Sequence, residues 1–209
     1  MPGARRKAPE RKAPGDYHHG NLRRALLDAA GQILAEHPAE PLTMREAARR
    51  VGVDHRAAYR HFADRDALLA AVAEEGHADL AAAMAAGLAS GGATARARLL
   101  ALARAYVRFA HREPGRYQVM MGPRERSRFL ATDAAVDRAF AVIQDEIARG
   151  IAAGELAAAD ALVPAAALWS SMHGVAHLSI ARRLWFRRER LDELTDRLIG
   201  HVLDGLLAR

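Results

Sequence analysis

Thr43-Met44-Arg45-Glu46-Ala47-Ala48-Arg49-Arg50-Val51-Gly52-Val53-Asp54-His55-Arg56-Ala57-Ala58-Tyr59-Arg60-His61-Phe62 is the stretch from which the rest of the chain can be read. Thr43 and Glu46 stand at capping-box spacing. The threonine hydroxyl can accept from the backbone N–H of residue 46 while the glutamate reaches back to that of residue 43. A helix begun there meets Gly52, the residue type that takes the left-handed conformation ending a helix. Asp54 can then cap a second helix. Two helices about a short glycine turn make a helix-turn-helix, a motif that lays its second helix in the DNA major groove.

At about 100° per residue, turning Ala58 and Phe62 inward puts Arg56 and Arg60 on the opposite side, flanked by Ala57 and Tyr59. Arginine can donate two hydrogen bonds to guanine, tyrosine can donate to a phosphate, and a helix N-terminus attracts anions. A solvated basic face would carry the same two arginines. The caps and the glycine turn favour the DNA reading.

The run Gly52-Val53-Asp54, then Tyr59-Arg60-His61-Phe62 and Asp64-Arg65-Asp66-Ala67-Leu68-Leu69, resembles the signature of the TetR family of one-component bacterial transcription regulators. Tyr17-His18-His19-Gly20-Asn21-Leu22-Arg23 upstream fits the same pattern. The chain departs from it at Ala58, where a larger aliphatic residue is usual, and at Arg65, where a lysine usually contacts phosphate. Taken with the motif, the resemblance implies DNA contacts at Thr43, Arg45, His55, Arg56, Ala57, Tyr59, Arg60, His61 and Arg65. It implies a cytoplasmic, sequence-specific regulator, a repressor released from an inverted-repeat operator by a small-molecule effector.

The 209 residues can hold one or two small domains, and the absence of cysteine rules out disulfides and thiolate metal sites. Residues 1–16 repeat a phrase, Arg6-Lys7-Ala8-Pro9 and Arg11-Lys12-Ala13-Pro14, and hold no apolar run of signal-peptide type. This segment is expected to be a disordered basic arm. Residues 1–12 carry a net +4 and residues 43–65 a net +3 of the chain's total +6, so the remainder sums to about neutral. Positive charge gathered on an arm and a groove-reading motif suits phosphate binding, because each neutralised phosphate releases counterions. A solubilising tail is the other reading of the arm.

The fold expected is all-α. Leu22, Ala25, Leu26, Ala29, Ala30, Ile33 and Leu34 form an amphipathic stripe over 20–37, broken by Pro38 and Pro41. That helix would pack on the helix-turn-helix to complete a DNA-binding domain over 17–63. Asp64 is positioned to cap a long connecting helix over 64–90, ended by Gly91-Gly92. A shift in its tilt would move the recognition helix. Residues 64–209 are expected to be a helical ligand-binding and dimerisation domain. Its helices run over 94–112, stopped by Pro114-Gly115, and over 133–153, stopped by Gly154, with a short helix or loop at 117–122 between them.

Ala161 to Ala181 carries no charge and is long enough to span a bilayer. Pro164, Ser170, Ser171, His173, Gly174, His177 and Ser179 are too many polar groups for lipid, so a buried helix is the better reading and no membrane partner is expected. Residues 189–207 repeat Leu191, Leu194, Leu198, Val202 and Leu206 at helical spacing. These last two helices are the expected homodimer seam. Trp169 with His173-Gly174 resembles the WHG-type C-terminal domain of some TetR regulators, and Pro114, Tyr117 and Met120-Met121 agree with it.

Tyr106, Phe109, Tyr117, Met120, Met121, Trp169, Met172 and His173 could line an apolar effector pocket with a few polar tips. Ordinary core packing would use the same residues. His173 and His177, one helical turn apart, could share a metal ion, which would make the protein a metal-responsive regulator. No carboxylate completes that set on the helix, so no metal or other cofactor is expected, and buried or hydrogen-bonded histidines are the plainer reading. An architectural DNA-binding protein without an effector is a further alternative. The sequence has no Gly-x-Ser-x-Gly, phosphate loop or dinucleotide glycine pattern, so an enzyme is not expected.

Overall fold

The computed structural model describes residues 22–37, 41–122, 133–183 and 191–207. The arm over 1–16 and the residues Tyr17 to Asn21 lie outside them. Within them are nine helices: α1 Leu22–Glu36, α2 Met44–Val51, α3 His55–Tyr59, α4 Arg65–Ser90, α5 Ala95–Arg112, α6 Pro114–Met120, α7 Asp133–Ala152, α8 Leu162–Ile180 and α9 Leu191–Asp204. Among the described residues no β-strand forms, and one isolated antiparallel bridge joins Leu156 to Leu207. No described helix is long and apolar enough to cross a membrane.

Local signals set the helix ends. The Thr43 hydroxyl accepts from the Glu46 N–H at 3.1 Å, and the Asp54 carboxylate from that of Arg56 at 2.8 Å. Asp64 caps α4 through the Ala67 N–H at 2.7 Å. Gly52 closes α2 at φ +79°, where a side chain would be strained. The reciprocal half of the expected capping box is replaced: the Glu46 carboxylate takes the Arg49 guanidinium at 2.6 and 2.8 Å. A charge-assisted bond to a neighbour one turn on is stronger than one to a neutral backbone N–H. Pro114 and Gly115 also differ from expectation, since they open α6 instead of only stopping α5. Proline suits the first turn of a helix, where its missing N–H has no partner to lose.

Two apolar clusters form. The head cluster joins Leu26, Ala30, Ile33 and Leu34 of α1 to Ala47, Ala48, Ala58 and Phe62, and it continues into α4 through Leu68, Ala71 and Val72. The body cluster takes over on α4 with Ala73, Leu80 and Met84 and adds Leu99, Leu102, Tyr106, Ile143, Ile147, Leu168, Met172, Ile199 and Leu203. One continuous helix therefore has its first two turns in the head and the rest in the body.

α8 is not buried all round. Pro164, Ala165, Leu168, Met172, Val175 and Ala176 face the core, while Leu162, Val163 and Leu178 are open to solvent in the single chain. The leucine stripe expected on α9 divides similarly. Leu194, Thr195, Ile199 and Leu203 turn inward and Leu198 outward.

Candidate nucleic-acid interface and effector site

The head presents the second helix of its helix-turn-helix, α3, at the surface. His55, Arg56, Tyr59 and Arg60 are exposed, with the His55 and Tyr59 rings edge-on at 6.4 Å between centroids. Thr43 and Arg45 at the start of α2 are exposed as well, and His61 is half-buried. Ala57 is the exception among the expected contacts. It is buried, 9 % exposed, beside the fully buried Ala58, because α3 is a single turn and a half wedged against α1 and α2. Beyond Tyr59 the backbone tightens: the N–H groups of His61 and Phe62 both donate to the Ala58 carbonyl, at 3.0 and 3.1 Å, and Phe62 drops into the core.

Ion pairs sort the arginines of this face. Arg49 is taken by Glu46, and Arg50 is taken by Glu36 at 2.7 and 2.8 Å. Those guanidinium groups hold both carboxyls below their ordinary pKa. Arg65 uses its Nε to donate to the Leu42 carbonyl at 2.6 Å, with Asp66 3.5 Å from its Nη1. It ties the start of α4 to the segment entering α2. Arg45, Arg56 and Arg60 form no ion pair with any described residue, so their donors remain available to an outside anion.

In the body, the eight residues expected around an effector do converge. Tyr106, Phe109, Tyr117, Met120 and Met172 are buried in one cluster, and Trp169 and Met121 pack on it half-buried. The Tyr106 and Tyr117 hydroxyls are 2.9 Å apart, and the Tyr117 hydroxyl lies 2.8 Å from Nδ1 of His173. Burial pushes the Tyr117 phenol up to about 12 and the Tyr106 phenol higher still. The same cause, with the neighbouring His177, lowers the His173 pKa. These groups are neutral hydrogen-bonding tips in an apolar setting. Phe140 of α7 stacks edge-on to Trp169 at 5.9 Å, and Ser179 lies 2.7 Å from Nε2 of His111. Sequence reasoning places neither contact in the site. Neither Phe140 nor the His111–Ser179 pair carries a site signal in the sequence.

The described surface has clefts of about 370, 420 and 540 Å³, between α4 and α5, among α1, α4 and α6, and between α5 and α9. None of the three is lined by these eight residues, which pack on one another. His173 and His177 stack at 5.8 Å between centroids, and His173 spends its Nδ1 on Tyr117. Among the described residues no group of three or more His, Cys, Asp or Glu side chains could hold a metal ion.

Among the described residues the chain is all-helical, with an N-terminal helix-turn-helix head joined by one long helix to a C-terminal bundle, the architecture of a helix-turn-helix DNA-binding protein. Residues 26–72 match the model for bacterial regulatory proteins of the tetR family, and residues 99–202 match that for the tetracyclin repressor-like C-terminal domain. The chain belongs to the TetR family of DNA-binding transcription regulators. A Rhodococcus sp. RHA1 protein of unknown function is 33 % identical, with a TM-score of 0.79, covering 93 % of this chain and 99 % of that one. The TetR family transcriptional regulator PfmR from Thermus thermophilus is 20 % identical, with a TM-score of 0.65, over 86 % of this chain and 97 % of that one. A tetR-family regulatory protein from Rhodococcus RHA1 is 21 % identical, with a TM-score of 0.65, over 90 % and 98 %. No curated protein matches the chain.

Proposed function

We propose that the protein is a sequence-specific repressor that binds an inverted-repeat operator as a homodimer and is released by a small-molecule effector. The observation that carries the DNA-reading part is a set of guanidinium groups, Arg45, Arg56 and Arg60, without an ion pair among the described residues and standing with Tyr59 on the open face of the helix-turn-helix. Arg49 and Arg50, on the same short segment, are neutralised by carboxylates, so the open charge is confined to the groove-facing side. Such a reader works in the cytoplasm, beside the genome. The apolar cluster around Tyr117 and His173 supports the effector site, because its hydroxyl and imidazole tips would orient a mostly apolar ligand. In this packed state an effector would enter by displacing Trp169 and Met121, which with His173 are the half-buried members.

The test is selection of bound duplexes from a random pool, followed by Arg56→Ala and Arg60→Ala. Each should lose on the order of 1–3 kcal/mol of discrimination if it reads a guanine, with helicity unchanged by circular dichroism. Operator affinity equal to the parent's in both variants would refute the assignment. A ligand screen against the selected duplex then tests the effector part.

A further inference from the structure

Arg23 and Arg24 are consecutive at the start of α1, and the fold uses them oppositely. Arg24 lies 2.8 Å from Asp28 and 3.2 Å from Glu75, and these carboxylates raise its pKa. Arg23, one helical step of about 100° away, pairs with no carboxylate among the described residues. Its guanidinium lies over the Phe62 ring, 5.1 Å from the centroid. Phe62 is the residue that closes the recognition segment, two positions after Arg60. Its ring is 4 % exposed, anchored in the head core, so it holds the guanidinium at the edge of the groove-facing surface.

A guanidinium over an aromatic ring gives one side to the ring and leaves its N–H donors, which point outward, unused. An exposed arginine held over the Phe62 ring beside the end of a recognition helix, with no carboxylate partner among the described residues, is a preorganised phosphate clamp. We propose that Arg23 is a DNA-backbone contact made from α1, outside the helix-turn-helix. The inference rests on the DNA-binding reading above and adds a residue to the contacts expected from the motif. Because it touches phosphate and not bases, it contributes affinity without selectivity.

The full chain is titrated against a duplex selected from a random pool and against a scrambled duplex of the same length, between about 50 and 200 mM KCl, the range over which phosphate contacts are read out. Arg23→Gln should weaken both duplexes by the same factor. It should also flatten the slope of log affinity against log salt by about 0.9 per protomer, about 1.8 for the dimer, so that the affinity lost across this range shrinks roughly twelvefold. Arg23→Lys, which keeps the charge, should retain most of the slope. If Arg23→Gln unfolds, the lysine variant decides, because a folded lysine protein with a slope lowered by a full contact overturns the role. An unchanged slope in a folded Arg23→Gln protein, or a loss confined to the selected duplex, also overturns it. In either case Arg56→Ala and Arg60→Ala still report on base reading. A parent protein that binds neither duplex would instead remove the DNA-binding reading and this inference together.

Discussion

His77 is the residue whose environment departs furthest from its chemistry. It is 1 % exposed on α4, and neither ring nitrogen has a hydrogen-bond partner among the described residues. Burial pushes its pKa below the ordinary 6.5 and outweighs the nearby Met120 backbone, which favours the charged form. The folded ring thus stays neutral at pH values where the unfolded chain takes up a proton. Below about pH 6.5 the unfolded state binds more protons, so stability is present above that value and is lost as pH falls through it. His173 has the same sign. His77→Leu removes a buried unsatisfied group, worth about 1–3 kcal/mol. Urea midpoints should therefore rise at about pH 7.5 and fall less than the parent's on going to about pH 5.5, values that bracket the unperturbed imidazole. A variant that loses stability between those values as steeply as the parent would show that His77 does not carry the acid sensitivity.

Among elements, the contact of α6 with α1 links the body to the head at a place where no side chain fits. A Cβ added to Gly115 would lie 2.0 Å from the Leu34 carbonyl oxygen and 2.7 Å from its carbon. Both are backbone atoms of the last turn of α1 and cannot swing aside. Gly115→Ala should force the two helices apart, at a cost of about 1–3 kcal/mol, lowering Tm by several degrees. Gly31, on the same α1, meets nothing within 4 Å, so Gly31→Ala should instead stabilise by up to about 1 kcal/mol through helix propensity alone. Differential scanning calorimetry of the two variants checks this, and equal shifts of the same sign would contradict it. α9 is registered on α5 by different means. Arg96 bonds Asp204 at 2.7 Å, Arg104 bonds Asp196 at 2.7 Å, and Arg108 bonds Asp192 at 2.9 Å. Steps of eight and four residues down one helix match the same steps up the other. Exposed pairs of this kind each add little stability. Only one antiparallel register satisfies all three.

At the scale of the whole molecule, a single chain leaves an apolar surface bare. Val163 is 69 % exposed on α8 and Leu198 42 % on α9, with Leu162 and Leu178 also open. Exposed apolar side chains on the last two helices are what a second copy would cover if this face pairs with itself about a two-fold axis. One recognition helix reads too few base pairs to single out a site in a genome, so two heads are expected on an operator. Leu198→Glu would bury like charges close together across such a seam. Sedimentation should show a dimer for the parent and a shift toward monomer or aggregate for the variant, with loss of binding to the inverted repeat in step. A monomeric parent that binds one half-site as tightly as the full repeat would refute the arrangement.

The sequence by itself determined which segment forms the helix-turn-helix and where most helices begin and end, although not that Pro114 opens α6. Caps at Thr43, Asp54 and Asp64 and the positive φ at Gly52 are local properties, acting over a few residues through backbone geometry and hydrogen bonds. Tertiary structure decided the commitments of side chains. That Arg50 is neutralised by Glu36, Arg24 by Glu75 and Arg65 held by Leu42 depends on neighbours 14 to 51 positions away. So does the stacking of Arg23 on Phe62. The same holds for the inward turn of Ala57, the buried imidazole of His77 and the open side of α8. A composition or a period gives a helix two faces, but only packing against other helices fixes which face meets the core.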